Sequence, residues 1–414
     1  MTATSKVLAA VLVALLAGIG ARVALDRDRA EPRTESAAVA HSGHGQHGAT
    51  QAGVDWTRVS DRDLDIAELF VIARRSGPGE ALKRLEVLAA GDTVLQDMGH
   101  LIAHGLGRFV VAQRQGDPAV YADCREVFQA GCNHGVMEAY FASPRAATPD
   151  AVAPSALDSL CARITRPAAA RLVALECAHG MGHGLLARYR GDLGEALSAC
   201  DHLTQRDARE ECHDGVFMEN AVRATASADV RVGDAAVQAG ISGRTQEALA
   251  RRGDLAYPCS EIGSQYRSSC WKYQAIIVVE ATRGNPTRTI EACERAPEPF
   301  RASCYFGIGK QASGWWASQD RVAQLCESVP AAQRTACVTG AVESYLDEMW
   351  TTDRALKFCT LVSSGSQPGC YQTIGARLAV MRADRAGIAR ECAQAGNAFA
   401  ASCMEGVALA GGRR

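Results

Sequence analysis

Five histidines at helical spacing are the residues best suited to chemistry in this chain. His100/His104 and His179/His183 stand four apart, and His134/Glu138 repeats the interval. Residues i and i+4 of a helix share a face with Cβ atoms about 5–6 Å apart. Two imidazoles so placed can grip one ion, the arrangement that HExxH zinc enzymes use. The pairs sit in one frame, read as MGHLIAH from Met98, CNHGVME from Cys132, CAHGMGH from Cys177 and CHDGVFM from Cys212. Two and six residues into it stand His100/His104, His134/Glu138, His179/His183 and Asp214/Met218. The first three pairs offer more donors than the four of a closed zinc site, which points to a dinuclear centre or to members that only orient the others.

Around this set lie further candidates. Asp214 extends the ligand positions by one unit, and Glu219 suits a ligand or a general base beside a metal-bound water. Arg108 and Arg188 follow histidines by four and five residues and are candidates for holding an anionic substrate. Imidazole and carboxylate donors suit Zn, Fe, Mn or Cu. Met98, Met137, Met181 and Met218 crowd the same segments, where thioethers either fill core or favour Cu(I). Gly99, Gly105, Gly107, Gly135, Gly180, Gly182 and Gly184 surround the histidines. Glycine costs a helix roughly 0.5–1 kcal/mol against Ala, so either a ligand must reach the helix surface or the backbones must pack closely.

The elements that position these residues are marked by cysteine. The 16 cysteines fall into consecutive pairs: Cys124 with Cys132, Cys161 with Cys177, Cys200 with Cys212, Cys259 with Cys270, Cys293 with Cys304, Cys326 with Cys337, Cys359 with Cys370 and Cys392 with Cys403. In the last five the separation is 11, and successive pairs step by 34 and then by 33. A period this constant marks a solenoid. The stretch Cys337–Met349 suits one helix and Asp353–Val362 a second, before the breaker run 363–369. Each unit is thus helix A, a turn and helix B, with one cysteine late in B and the next at the start of the following A. Such spacings do not offer the CxxC clusters of a zinc site; disulfides within each pair fit, each worth roughly 2–3 kcal/mol for a ring of this size. The expected fold is all-α, a disulfide-stapled α/α solenoid of about nine to ten two-helix repeats.

Unit length and the two-helix plan resemble the tetratricopeptide-like α/α repeat superfamily over roughly residues 56–410, although its W-x2-L-G-x2-Y pattern is missing. The resemblance implies a curved superhelix with the A helices on its concave face, a surface on which such arrays bind peptides or proteins.

Irregularities concentrate early. Residues 56–91 form a cysteine-free first unit with a helix from Glu80 to Ala90, a proline-containing insertion falls at 143–154, and an extra segment near 224–256. The expected organisation is 1–25 leader or anchor, 26–55 linker, 56–258 repeats with the His/Glu constellation, and 259–414 regular repeats. In the last region the frame holds Lys272/Ile276, Phe306/Lys310, Thr339/Glu343 and Gln372/Ile376, and no metal constellation survives. Trp271, Tyr273, Tyr305, Phe306, Trp315 and Trp316 cluster there, either as core between helices or as a partner face.

Composition narrows the compartment. The chain has 414 residues, 47% hydrophobic and 22% charged, with a net charge of -2. No basic run indicates nucleic acid. Sixteen cysteines are foreign to a reducing cytosol. Lys6 precedes an apolar run from Val7 that, read through Arg22 to Leu25, is just long enough to span a bilayer, so an uncleaved anchor or a secretory signal is expected. The linker carries His41, His44 and His47, a tract able to capture metal ions. No CxxCH, Walker or G-x-S-x-G string occurs. The readings that remain are an exported metalloprotein (hydrolase or oxidoreductase), a disulfide-stapled interaction scaffold, and a metal-handling chaperone.

Overall fold

The structure is a computed structural model that describes residues 61–411, apart from 166–169, 226–249, 252, 312, 313, 315 and 317. The expected leader, the linker with its histidine tract, most of the extra segment and Trp315 lie outside the described residues. All regular structure among the described residues is helical. In chain order the helices are α1 (Asp61–Ser76), α2 (Pro78–Ala89), α3 (Thr93–Gln113), α4 (Gly131–Ala142), α5 (Pro154–Ile164), α6 (Arg171–Arg188), α7 (Leu193–Asp201), α8 (Arg206–Thr225) and α9 (Arg267–Thr282). They continue with α10 (Pro286–Cys293), α11 (Glu298–Lys310), α12 (Gln319–Ser328), α13 (Arg334–Met349), α14 (Asp353–Leu361), α15 (Gln367–Met381), α16 (Arg385–Ala393) and α17 (Ala400–Gly411).

The inner row, α3-α4-α6-α8-α9-α11-α13-α15-α17, stacks neighbour on neighbour, and the shorter B helices pack behind it. Helix starts follow local chemistry. Asp92, Asp192, Asn285, Ser318 and Asp384 accept backbone N–H groups at the first turns of α3, α7, α10, α12 and α16. The proline-containing insertion folds into two 3-10 turns, Pro144–Ala146 and Pro149–Val152. Helix α15 begins at Gln367, earlier than expected, because Pro368 sits in its first turn, where a missing N–H does no harm.

All eight disulfides join the expected pairs, with Cα–Cα distances of 5.4–5.8 Å. Cys259 is bonded to Cys270, Cys293 to Cys304, Cys326 to Cys337, Cys359 to Cys370 and Cys392 to Cys403. Their places within the unit need correction at both ends. Two first members are not late in a helix B: Cys124 follows a 3-10 turn, Pro118–Asp123, and Cys259 lies in a turn. Nor do the second members open the following helix A. Cys270 and Cys403 stand 3 residues past the first residue of α9 and α17, and Cys304 stands 6 past that of α11. Cys337 and Cys370 are likewise 3 residues inside α13 and α15. Cys270, Cys304 and Cys403 are at most 1% exposed and meet the sulfur behind them in the core.

Glycines let the inner helices touch backbone to backbone. A Cβ on Gly215 of α8 would lie 1.8 Å from the His179 carbonyl of α6, and one on Gly182 would lie 2.1 Å from the Cys212 carbonyl. The same exchange recurs between α11 and its neighbours, where a Cβ on Gly307 would meet the Lys272 carbonyl at 1.9 Å. At α17 a Cβ on Gly375 would meet the Cys403 carbonyl at 1.8 Å. The glycines are therefore a packing device of the whole array, which the histidine region shares.

The row curves back on itself, so that its start meets α13 and α6 meets α15. Phe128, Gln129 and Ala130 form a left-handed turn with φ of 53–54°. Such conformations cost about 1–2 kcal/mol per residue. This turn is held by Phe128 and Gln129, which donate their backbone N–H groups to the Glu348 and Asp347 carbonyls at the end of α13. Gln96 reaches Glu348 at 2.8 Å, and α15 packs on α6. A cleft of about 680 Å3 opens on the outside of this junction, lined by Lys83, Glu86, Arg114, Arg125 and Trp350 among others.

Candidate metal centre

The frame that repeats along the sequence becomes a ladder on the inner face. His100 and His104 come from α3, His134 and Glu138 from α4, and His179 and His183 from α6. Their rings form one cluster, with His104–His134 centroids 5.3 Å apart, His134–His179 4.9 Å, His134–His183 5.0 Å and His104–His183 5.7 Å. Three groups each bring donor atoms within 4.8 Å of one another: His100/His104/His134, His134/His179/His183 and Glu138/His183/Glu219. Helix α6 is buried without a break from Cys177 to Leu186, so the centre lies in the interior and not on a rim.

Four of the five imidazoles have one nitrogen within hydrogen-bond reach of an oxygen acceptor, and His179 stands farther from its carboxylate. His100 Nδ1 donates to the Phe128 carbonyl at 2.8 Å. His104 Nδ1 lies 3.1 Å from Glu138, His134 Nε2 3.2 Å from Glu176, His179 Nδ1 3.6 Å from Glu211 and His183 Nδ1 2.9 Å from Glu219. Carboxylates in this position orient an imidazole and raise its basicity. In two of the imidazoles the other nitrogen is left for a ligand. His134 Nδ1 and His183 Nε2 are buried and have no hydrogen-bond partner, a state that costs about 1–3 kcal/mol per atom in the absence of a compensating contact.

Electrostatics keep the rings neutral. Burial, followed by the neighbouring imidazoles, pushes His100 down to about 4 and His104, His134 and His179 well below the ordinary histidine range. Neutral rings keep the lone pair that a metal needs. Burial works against ionised Glu138 and Glu219, but Arg108 and Arg223 respectively hold both below the usual carboxylate range. Arg108 pairs with Glu138 at 2.7 Å and Arg223 pairs with Glu219. Burial raises Glu176 and Glu211 despite Arg377 and Lys272 nearby.

Several candidates are placed differently from their sequence reading. Asp214 stands outside the three groups because its carboxylate binds Lys272 Nζ at 2.6 Å. Arg188 turns away from the centre and donates to the Ala146, Ala147 and Thr148 carbonyls of the proline-containing insertion. His213, one residue before the frame's ligand position, is buried and bonds Asp201 of α7 at 2.9 Å. Met137 and Met181 are fully buried core, Met98 packs against that core, and Met218 Sδ lies 3.3 Å from His179 Nε2. Trp271, Tyr273 and Tyr305 are core aromatics, as one of the two readings held.

Two features were passed over. Glu176 and Glu211 each stand immediately before the second cysteine of their pair, a regularity visible in the sequence. The later units also continue the ladder with charge instead of imidazole. Lys310 pairs with Asp347 at 2.8 Å, Arg377 with Asp347 at 2.6 Å, and Arg377 approaches Glu176 at 3.7 Å, joining the two sets across the interior.

Against known protein families, curated proteins and solved structures the chain finds no match. Among the described residues no helix is long and apolar enough to cross a membrane.

Proposed function

We propose that the chain is an extracytoplasmic metal-binding protein whose N-terminal repeats hold a transition-metal ion in a buried cage of imidazoles. The observation that carries this reading is the pair of orphaned nitrogens, His134 Nδ1 and His183 Nε2, inside a cluster whose opposite nitrogens are fixed by acceptors. A histidine kept for packing alone has no reason to leave such an atom bare. Glu138 and Glu219 act as positioning residues, since each is already neutralised by an arginine and bonded to an imidazole. Burial favours holding the ion, or reacting it with small molecules, over cleaving a polymer. Eight disulfides fit an oxidising compartment; the apolar run Val7–Leu25 is the segment that would export the chain and hold it at a membrane.

The test is elemental analysis of the purified full chain beside His134→Gln and His183→Gln, with circular dichroism to verify folding. Wild type retains metal through dialysis, and each variant loses at least about tenfold in affinity. Equal metal content in all three proteins, or none in wild type after reconstitution, overturns the reading and leaves a stapled scaffold.

A further inference from the structure

The sixth position of the frame supplies His104, Glu138 and His183 from three successive inner helices, and Met218 from the fourth. Three of these belong to the candidate groups. Met218 differs from the other methionines of the region. Met137 and Met181 are fully buried in the apolar core, whereas Met218, partly buried against that core, brings its sulfur 3.3 Å from His179 Nε2. His179 belongs to the group with His134 and His183, whose nitrogens Nδ1 and Nε2 are buried without partners. On this ladder the thioether occupies a ligand register and touches a ligand candidate.

Resting on the metal reading above, we propose that Met218 completes the His134/His179/His183 group as a thioether donor and makes it a site for Cu(I). Thioether sulfur is a soft donor that selects Cu(I), while zinc prefers thiolate, imidazole and carboxylate. Cu(I) also accepts neutral donors, which suits three uncharged imidazoles and a methionine. The carboxylates that approach these rings, Glu176, Glu211 and Glu219, lie at His134 Nε2, His179 Nδ1 and His183 Nδ1, away from the partnerless nitrogens. In the metal-free protein the sulfur is only a weak hydrogen-bond acceptor for His179.

The experiment uses the full chain with its disulfides intact, loaded with Cu(I) anaerobically under ascorbate, or with Zn(II). Affinities come from competition with a chromogenic chelator for wild type and Met218→Leu, an exchange that conserves volume. Copper K-edge absorption of the loaded wild type reports its scatterers directly. Met218→Leu is expected to lose roughly tenfold or more in Cu(I) affinity, to keep its Zn(II) affinity within about twofold, and the wild-type edge to show one sulfur among nitrogens. An unchanged Cu(I) affinity in a folded Met218→Leu, or an edge with nitrogen and oxygen alone, overturns the copper assignment while leaving a metal site. The edge measurement decides if the variant fails to fold. Wild type that binds neither ion overturns the metal reading itself.

Discussion

Two stretches of the inner row are built on the same backbone and filled with opposite chemistry. From α3 to α6 the frame presents five imidazoles and Glu138, with His134 Nδ1 and His183 Nε2 left without partners. From α9 to α15 it presents Lys272 and Lys310, and Asp347 and Arg377 stand outside the frame, all four with their charges paired. The glycine contacts are common to both stretches. Fold and site are therefore separable in this molecule: glycine and cysteine fix the rungs, and the inward positions are free to vary. The charges of one stretch all find partners, that of Lys272 in α8, and the other keeps donors in reserve.

The sharpest way to break the contrast is to unbalance the paired stretch. Asp347→Ala leaves Lys310 and Arg377 with only the longer contacts to Glu343, at 4.0 and 3.8 Å, and to Glu176 at 3.7 Å, and loss of one partner of a buried pair costs about 3–5 kcal/mol. Urea unfolding should show a loss of that size, while a loss below about 1 kcal/mol would mean that these charges are solvated.

Acid should act first on the other stretch. His100, His104, His134 and His179 bind protons less readily folded than unfolded, so stability of the metal-free protein falls as pH drops below about 6.5. For His100, lowered to about 4, the loss amounts to about 3 kcal/mol once both states are protonated. Glu176 and Glu211 work in the opposite sense: the stability they add is complete below the free carboxylate range and is lost as pH rises from there through their raised values. Four groups outweigh two, so stability measured against pH should peak near neutrality, at about 6.5–7. A curve flat between about pH 4 and 6.5 contradicts the buried neutral rings.

Gly215→Ala and Gly307→Ala probe what the stretches share. Each places a methyl against a carbonyl of the preceding inner helix, and each should destabilise by about 1–3 kcal/mol, to a similar extent in both stretches. A large cost at Gly215 alone would tie the glycine to the histidines instead. The smallest effect separates two arginines. Arg188→Ala should cost about 1 kcal/mol through lost bonds to the insertion and leave metal content unchanged, whereas Arg108→Ala frees Glu138 and should lower metal affinity.

Much of this was legible in the chain because period and residue type agree. Regular cysteine spacing reveals the units and the pairing, and the i,i+4 histidines reveal the shared face. Spacing alone does not say where a helix begins, which is why Cys270, Cys304 and Cys403 sit deeper in their helices than a marker of the first residue would. What else eluded the reading is non-local. That Arg377 reaches Glu176, or that Phe128 receives the His100 imidazole, depends on curvature accumulated over several units, which no local pattern encodes. The same limit explains Asp214, whose lysine partner lies one helix further on. Arg188 answers to an irregular loop with exposed carbonyls, which no spacing rule foretells. The emphasis on histidines as potential ligands also hid the lysines and arginines that continue their ladder.

Every covalent cross-link spans 8 to 16 residues of sequence. Sulfur thus fastens each storey to the next, and none of it bolts the ground floor to the roof. That long reach is left to a few reversible handshakes, Phe128 with Glu348, Gln96 with Glu348 and Arg377 with Glu176. No sulfur bridge crosses this seam, and His100, through the Phe128 carbonyl, is bonded to the same residue that reaches across it.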